Sequence, residues 1–269
     1  MIDLPRPAPL TPPPEFSTEA SSIGVEFESG DLDRLGLYLA LLLAANEQMN
    51  LTAVTDAHEI WRRHILDSLT LLPVLADLPE GARVIDIGSG GGLPGIPLAI
   101  CLPHLRFTLL EATAKKAAFL ERIANADMLA LANVTVLAQR AERAAHDRGE
   151  RAQAHNAGTS RTGGHREAYD AVIARAVGRL PTLAELTAPF ARIGGRIALI
   201  KGEQADAELE EAAPALHLLK VTHATTIPTP TGRILVLEKS SATPRVYPRA
   251  DGEPKRTPLG VVRPKRSES

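Results

Sequence analysis

The chain has 269 residues, enough for one substantial hydrophobic core in one domain or a small pair of domains. Its formal net charge of -2 does not indicate a nucleic-acid binder, so any contact with a polyanion must come from local patches. The single cysteine, Cys101, excludes a disulfide framework and a cysteine-rich metal site, and it fits a reducing cytoplasm. No apolar stretch approaches the roughly 20 residues that cross a bilayer, so we expect no membrane role.

The chain begins with a segment of leader-like composition. Residues 1–28 are rich in Pro, Ser and Glu and lack the basic and apolar regions of a secretory signal. Such a composition buries little apolar surface, so we expect a disordered, Pro-rich leader. The folded part is expected to start near Asp31.

Two amphipathic helices are predicted after the leader. An alanine-rich segment predicts a helix that ends near Asn46, because apolar residues repeat at helical spacing: Leu32, Leu35, Leu39, Leu42 and Leu43. Asp56 and Glu59 are spaced as a capping box, which predicts the start of a second helix. The buried side of this second helix is expected to carry Ile60, Ile65, Leu69 and Leu72.

Charged residues on the second helix allow two interpretations. Arg63 and Asp67 are spaced as an i,i+4 ion pair on a helix surface. Alternatively Arg62, Arg63 and His64 form a basic edge that faces a nucleic acid. No second ligand stands at a suitable spacing from His64, so we expect no metal site.

From residue 83 the pattern changes to strands that alternate with helices, which is typical of a parallel sheet. The predicted strands are 83–87, 106–110, 134–137, 169–174 and 196–200. Residues 146–167 are polar and have no apolar period, so we expect a disordered surface insertion. Two late runs, 218–225 and 233–239, are predicted to be antiparallel strands joined by a loop.

The last 26 residues, 244–269, hold seven Lys or Arg and three acids. A basic, Pro-rich tail of this kind is either a contact for a polyanion or, more commonly, a mobile solvated charge run. The predicted organisation is therefore a leader at 1–28, one domain at 29–243 and a tail at 244–269.

A glycine-rich turn follows the first predicted strand. Gly88, Gly90, Gly92 and Gly95 come directly after this strand and precede an apolar helix. Glycines are needed where a turn requires positive φ or where a ligand lies against bare backbone. The spacing also satisfies the dinucleotide fingerprint, which is weak alone, so a dinucleotide site and a turn without a ligand both stay open.

Two acids flank this turn. Asp86 lies on the strand itself, where a carboxylate opposes a pyrophosphate but suits the ammonium and sulfonium groups of S-adenosylmethionine. Glu111 ends the second strand, where an acid can accept both ribose hydroxyls of either cofactor class. Asp86 therefore favours S-adenosylmethionine, whereas Glu111 indicates only a nucleoside.

The sequence resembles the RsmG (GidB) family of bacterial 16S rRNA guanine-N7 methyltransferases. The resemblance extends from about Asn46 to Lys239 and includes an Arg-His-Ile-Leu-Asp-Ser motif that generic methyltransferases lack. The motifs that carry it are Asn50 to Ala53, Arg63 to Ser68, Asp86 to Pro97, Asn133 to Val136, Arg140 to Glu142, Ala174 to Ala176, and Lys201-Gly202.

This resemblance implies an α/β class I S-adenosylmethionine-dependent methyltransferase fold. The fold is Rossmann-like, with a mostly parallel seven-stranded sheet whose last strand is antiparallel and with additional N-terminal helices. The resemblance places cofactor contacts at Gly88, Leu93, Ala141, Glu142 and Arg175. Together with Asp86, Gly90, Gly92 and Glu111, these residues form the predicted cofactor site.

The implied function is methylation of a guanine N7 in 16S rRNA, in the free RNA or in the small ribosomal subunit, by a cytoplasmic monomer. Many relatives have Asp at the position of Glu111, and residues 146–167 are longer than expected for the family. The Asn/Asp-Pro-Pro-aromatic motif of base-amino methyltransferases is absent after the fourth strand, where Arg175 and Arg179 stand. This absence argues against methylation of an exocyclic amine.

No catalytic acid or base is expected, because N7 carries no proton at neutral pH; Arg175 is the candidate for substrate alignment. A covalent cysteine route is not expected either, since Cys101 lies on another, apolar segment. Two alternatives stay open: a non-catalytic RNA adaptor that binds S-adenosylmethionine, and a nicotinamide-dependent oxidoreductase. The large aromatic residues Trp61, Tyr38 and Phe119 are predicted to lie in the core.

Overall fold

A computed structural model describes residues 5–151, 161–175 and 178–261. Nine strands lie in this part of the chain: β1 (Arg83–Ile87), β2 (Arg106–Glu111), β3 (Val134–Ala138), β4 (Glu150–Arg151), β5 (Arg161–Thr162), β6 (Tyr169–Arg175), β7 (Ala191–Lys201), β8 (Val221–Thr229) and β9 (Gly232–Lys239). Seven of them form one sheet in the order β3-β2-β1-β6-β7-β9-β8, and β4 and β5 pair separately. β3, β2, β1, β6 and β7 are parallel, whereas β9 is antiparallel to both β7 and β8. The predicted mostly parallel sheet with an antiparallel last strand is confirmed.

The helices pack on both faces of the sheet. They are α1 (Phe16–Ser22), α2 (Asp31–Met49), a π-helical segment (Trp61–Leu66), α3 (Asp67–Leu69), α4 (Leu72–Leu75), α5 (Gly95–Cys101), α6 (Ala114–Ala124), α7 (Ala141–Ala144), α8 (Leu180–Thr187), α9 (Ala205–Leu219) and α10 (Glu253–Arg256). Along β1, Val84 packs with α4 and α5 while Ile85 packs with α8 and α9. Burial on both faces explains why this strand reads as a continuous apolar run interrupted only by Asp86.

The strand order reverses beside β1, because β1 pairs with β2 on one side and with β6 on the other. Connections leave the carboxyl ends of these strands in opposite directions, which opens a crevice at that edge of the sheet. Asp86 on β1 is paired with Ile173 on β6. Gly88 lies two residues after Asp86, and Arg175 lies two residues after Ile173, so both lie at this edge. The glycine turn and Arg175 are therefore neighbours at the crevice.

The prediction of a disordered leader is wrong for residues 5–28. Helix α1 buries Phe16, which is only 2% exposed and whose ring centroid lies 4.8 Å from that of Trp61. Ala20 and Val25 join the same apolar cluster, and Leu10 N–H donates to the Gly36 carbonyl. A few well-placed apolar side chains anchor a segment whose average composition is polar. Residues 1–4 lie outside the described residues.

The basic tail is also packed, as far as residue 261. We call residues 244–261 the C-terminal segment. The Arg249 guanidinium pairs with Glu185 at 2.7 Å, and Glu185 is fully buried in α8. Pro254 is buried in α10. The alternative of a mobile, solvated charge run is therefore wrong for residues 244–261, whereas a polyanion contact stays a prediction. Residues 262–269 lie outside the described residues.

The flanks of the predicted disordered insertion are packed against this segment. Arg166 is 8% exposed, and its guanidinium donates to the carbonyls of Thr243, Pro244, Tyr247 and Ala145. Both terminal nitrogens of this guanidinium donate to carbonyls, whereas its buried Nε–H has no partner among the described residues. The expectation of disorder is therefore wrong around Arg166. Residues 152–160 of the insertion lie outside the described residues, and so does Ala176, which belongs to one of the family motifs.

The second predicted helix begins as expected but has a different geometry. The Asp56 carboxylate accepts from the backbone N–H groups of His58 and Glu59, which confirms the cap. The helix then continues as the π-helical segment, and π-helical turns occur frequently at functional sites. The predicted Arg63–Asp67 pair does not form, because Arg63 pairs with Glu59 and Asp67 has another partner, described below.

The predicted core aromatics are confirmed, since Trp61, Tyr38 and Phe119 are all fully buried. Within the described residues, no helix has both the length and the apolar character that a membrane crossing requires. In the same part of the chain, no three His, Cys, Asp or Glu side chains are grouped so that they could hold a metal ion.

Candidate active site

The turn after β1 has the backbone geometry that its glycines predict. Gly88, Gly90 and Gly92 adopt φ values of 74°, 57° and 104°, in the region that side chains disfavour. At Gly92 a Cβ would also lie 2.7 Å from Ile96 Cγ1 and 3.1 Å from Leu120 Cδ2. A turn of bare backbone is therefore held against α5 and α6 at the carboxyl end of the sheet.

Asp86 is the buried acid of this turn. One carboxylate oxygen, Oδ2, accepts from the Gly95 N–H at 3.1 Å. The other, Oδ1, is buried and has no hydrogen-bond partner among the described residues. Burial raises the pKa of Asp86 to about 7. A buried carboxylate oxygen without a partner costs free energy unless a ligand cation or donor satisfies it, so this group fits the cationic ligand predicted from the sequence.

Glu111 ends β2 and closes the turn from the other side. Its Oε2 accepts from the Gly90 N–H at 2.9 Å and its Oε1 accepts from the Thr113 N–H at 2.7 Å. Each carboxylate oxygen keeps a second lone pair, and the side chain is 7% exposed. The longer arm of Glu, compared with the Asp of many relatives, is thus used to reach the glycine turn.

The remaining predicted cofactor residues lie on neighbouring elements. Leu93 follows the turn and is 7% exposed. Ala141 and Glu142 start α7, directly after β3. The Glu142 carboxylate is buried and accepts from Arg140 at 3.0 Å and from the Gly252 N–H at 2.8 Å. Sequence reasoning did not anticipate this link between the loop after β3 and the C-terminal segment.

Arg175 is the last residue of β6 and joins two distant parts of the chain. Its Nη1 donates to Asp67 Oδ2 at 3.0 Å and to the Arg63 carbonyl at 2.9 Å. The other oxygen of Asp67 accepts from the Thr231 hydroxyl at 2.6 Å. The Arg-His-Ile-Leu-Asp-Ser motif thereby orients a guanidinium at the edge where β1 and β6 end.

His64 of the same motif is 6% exposed, and its Nε2 lies 2.6 Å from the Thr52 hydroxyl. Burial lowers the pKa of His64. This histidine is therefore neutral near pH 7 and joins the π-helical segment to the loop after α2. Thr52 and Thr231 are two residues that sequence reasoning missed, because the partner of each lies on another element.

A cleft of about 1020 Å³ opens beside Arg175. Its walls come from α1, the π-helical segment, the end of β7 and the loop between β8 and β9; the polar and charged lining residues are Glu15, Glu19, His58, Glu59, Arg62, Arg63, His64, Asp67, Arg175, Lys201, Glu208 and Thr231. Of the predicted cofactor residues, Arg175 lines this cleft, whereas the glycine turn, Glu111 and Glu142 lie at the adjoining strand ends. The structure therefore offers two adjacent regions, one of bare backbone with buried acids and one that is wide and rich in paired charges.

A seven-stranded sheet in this order, a glycine turn after β1 and acids at the ends of β1 and β2 define a class I S-adenosylmethionine-dependent methyltransferase. The family model described as rRNA small subunit methyltransferase G (GidB) matches residues 31–232. The chain belongs to this family, as its sequence motifs predicted.

Similar curated proteins cover almost the whole chain. The Ribosomal RNA small subunit methyltransferase G of Sorangium cellulosum is 49% identical over 92% of this chain and 96% of its own length. The proteins of the same name from Oenococcus oeni and Bacillus mycoides are 36% and 34% identical, over 92% and 91% of this chain and 98% of their own lengths. The predicted cofactor class and the predicted enzyme class, an rRNA methyltransferase, are confirmed by this membership, and the oxidoreductase alternative is set aside.

Proposed function

We propose that this protein transfers a methyl group from S-adenosylmethionine to N7 of a guanine in 16S rRNA, and that it acts in the cytoplasm as a monomer. The observation that carries the proposal is Arg175, which stands at the end of β6 with its guanidinium held by Asp67. Base-amino methyltransferases carry an Asn/Asp-Pro-Pro-aromatic motif at this point. A rigid cation in its place suits alignment of a base whose acceptor atom needs no deprotonation.

The residues that would hold the cofactor form a continuous set. Asp86 Oδ1 supplies an unpartnered carboxylate oxygen for a cationic group, and Gly88, Gly90 and Gly92 supply bare backbone beside it. Glu111 offers lone pairs to the ribose hydroxyls of the cofactor. Leu93, Ala141 and Glu142 would border the adenine of the cofactor. When bound, S-adenosylmethionine supplies an electrophilic methyl group on a sulfonium.

The chain's own residues then have a positioning task. Guanine presents O6 and N7 as acceptors on one edge, and Arg175 is a donor that can bind O6 while N7 stays free. Asp67, which itself accepts from the Thr231 hydroxyl, holds Arg175 in place, so little orientational freedom is lost when the base binds. His64 contacts the Thr52 hydroxyl through Nε2, and it needs no general-base role because N7 carries no proton to remove.

The proposal is tested by mapping the methylated atom. 16S rRNA transcribed in vitro is incubated with the protein and S-adenosylmethionine, reduced with borohydride and treated with aniline, which cleaves a chain at N7-methylguanosine. We expect one cleavage position. A labelled methyl group incorporated without aniline cleavage would place the methyl on another atom and overturn the N7 assignment.

A parallel reaction with assembled small subunits decides whether free RNA or the subunit is the substrate. A protein that binds S-adenosylmethionine and RNA but transfers no methyl group to free RNA or to the subunit would be the non-catalytic adaptor.

The same reaction with Arg175→Lys tests the role of Arg175 in aligning the base, since Lys keeps the charge but lacks the planar fork of donors. We expect the single-turnover rate of this variant to fall more than its affinity for RNA.

A further inference from the structure

The cleft beside Arg175 has an inner set of ion pairs that are shielded from water. Arg175 and Asp67 are 17% and 12% exposed in their side chains. Lys201 and Glu208, which lie 2.7 Å apart, are 9% and 14% exposed. Removing one member of such a pair leaves a desolvated charge, so these pairs are structural parts of the cleft wall.

A second set of ion pairs lies at the mouth of the cleft and is open to water. His58 Nε2 lies 2.7 Å from Glu15, a contact that is an ion pair only when the histidine is protonated, with side chains 66% and 49% exposed. Arg62 Nε lies 3.6 Å from Glu19, with side chains 57% and 36% exposed. Pairs this exposed are screened and contribute little to stability, so their basic side chains exchange partners readily.

Arg63 continues the same surface. It pairs with Glu59 at 3.2 Å, and the two side chains are 65% and 58% exposed. We call His58, Arg62 and Arg63 the outer edge. The outer edge adjoins the proposed base-aligning residue directly, because the Arg63 carbonyl accepts from the Arg175 guanidinium.

The acids that pair with His58 and Arg62 come from the N-terminal part of the chain. Glu15 directly precedes α1 and Glu19 lies in its first turn. Phe16 fixes α1 on the core through its edge-to-face contact with Trp61. The two carboxylates are therefore held at the cleft mouth by packing and not by their ion pairs. These residues precede residue 31, where the match to the family model begins.

We propose that the outer edge binds phosphates of the RNA substrate and that Glu15 and Glu19 compete with those phosphates for its basic side chains. The proposal rests on the proposed function, which brings an RNA chain to this cleft. A phosphate that displaces an exposed carboxylate gains a contact and releases counterions from the RNA. An isolated small anion gains much less, so the carboxylates favour a strand that presents several phosphates at once.

Salt dependence of binding separates this role from a merely structural one. Each phosphate contact with a single strand contributes about 0.7 to the slope of log affinity against log salt. We expect the double variant Arg62→Gln and Arg63→Gln to flatten the slope by about 1.4 and to weaken binding to 16S rRNA transcribed in vitro by roughly tenfold. Lys at both positions keeps the charges and should restore most of the slope.

The competing acids are tested by the opposite change. The double variant Glu15→Gln and Glu19→Gln should strengthen RNA binding by roughly threefold to tenfold and steepen the slope. Its matched control is Glu80→Gln with Glu121→Gln, which changes the net charge equally at exposed positions away from the cleft. The matched control for the arginine variant is Arg106→Gln with Arg192→Gln, since Arg106 begins β2 and Arg192 lies near the start of β7, at the opposite edge of the sheet.

Each outcome decides the proposal. A folded arginine variant with the slope of its control would overturn the phosphate contacts, and acid variants that bind no better than their control would overturn the competition. Circular dichroism checks folding, and a variant that misfolds is replaced by the single substitution Arg62→Gln, for which half the slope change is expected. N7 methylation by the unaltered protein is measured separately, so an inert outer edge does not refute the proposed function, and a missing N7 product does not refute the outer edge.

Discussion

Arg175 and Asp67 are 108 positions apart in the sequence and are joined by a 3.0 Å ion pair at the carboxyl edge of the sheet. Asp67→Asn should leave the largely buried Arg175 guanidinium without a counter-charge and lower the free energy of unfolding by roughly 3 kcal/mol. We also expect single-turnover methyl transfer to slow at least tenfold, because the guanidinium loses its fixed orientation.

Urea unfolding and a single-turnover assay measure both effects. The control is Glu59→Gln, which breaks the exposed pair with Arg63 and should change stability by less than about 0.5 kcal/mol. Equal effects of the two substitutions would show that the Asp67 contact does not hold Arg175.

Asp86 predicts a pH dependence of cofactor binding. Its pKa of about 7, raised by burial, means that the acid is largely protonated below pH 7 and ionised above it. A cationic ligand binds the ionised form, so affinity for S-adenosylmethionine should rise between pH 6 and pH 8. Calorimetry across this range measures the change, and Asp86→Asn should bind weakly with a flat profile. A wild-type profile that Asn leaves unaltered would assign the titration to another group.

The same shift has a consequence for the protein without ligand. A carboxyl whose folded pKa is above its unfolded value binds more protons in the native state, so stability falls as pH rises from about 4 toward 7. Asp86→Asn removes this contribution. We expect the unliganded variant to gain stability relative to wild type as pH increases, as measured by thermal unfolding at pH 5 and pH 8.

Gly92→Val should abolish cofactor binding. Its φ of 104° disfavours any side chain, and the added Cβ would press on Ile96 Cγ1. The matched control is Gly24→Val, where φ is also positive but no atom lies within 4 Å of the added Cβ. Calorimetry with circular dichroism separates lost binding from lost folding. A folded Gly92 variant with wild-type affinity would contradict the assignment of the turn.

The C-terminal segment should contribute to the stability of the fold through its internal contacts, and its net positive charge should not contribute to RNA binding. Arg249→Met leaves the fully buried Glu185 unpaired and should cost about 3 to 5 kcal/mol in the free energy of unfolding. Arg245→Met removes the same charge from an exposed position of the segment and should have little effect on stability. If both variants weaken RNA binding equally without loss of stability, the segment is a polyanion contact after all.

The absence of a required base predicts a flat pH profile for chemistry. Between pH 6.5 and pH 8.5, with cofactor saturating, single-turnover methyl transfer should not rise in proportion to hydroxide. His64→Gln and Glu142→Gln are expected to change alignment or binding and to leave the shape of the profile unaltered. A tenfold rise per pH unit that disappears in either variant would reveal a general base and an acceptor atom that carries a proton.

The local features of the fold could be predicted because each depends on residues that are close in sequence. The glycine turn follows from the φ values that its backbone needs, and the cap at Asp56 follows from free N–H groups three residues away. A strand that is buried on both faces has a continuous apolar sequence, so β1 could be predicted directly from the sequence. The order of motifs then identified the family.

The failures have one cause, which is that the composition of a segment does not reveal what the segment packs against. Phe16 anchors α1 only because Trp61 lies opposite it, and Arg249 is held only because Glu185 is buried beneath it. The partner of Asp67 was predicted one helical turn away, at Arg63, but it is Arg175 across the cleft.

The sequence by itself determined the sheet, the glycine turn with its two acids and the family, because these depend on local backbone preferences and on the alternation of strands and helices. Only the tertiary structure decided which acid holds Arg175, that residues 5–28 and 244–261 are packed, and that Glu142 meets Gly252. The physical reason is that an ion pair or a buried contact depends on distance in space, and chain folding brings together residues whose separation in sequence carries no information about it.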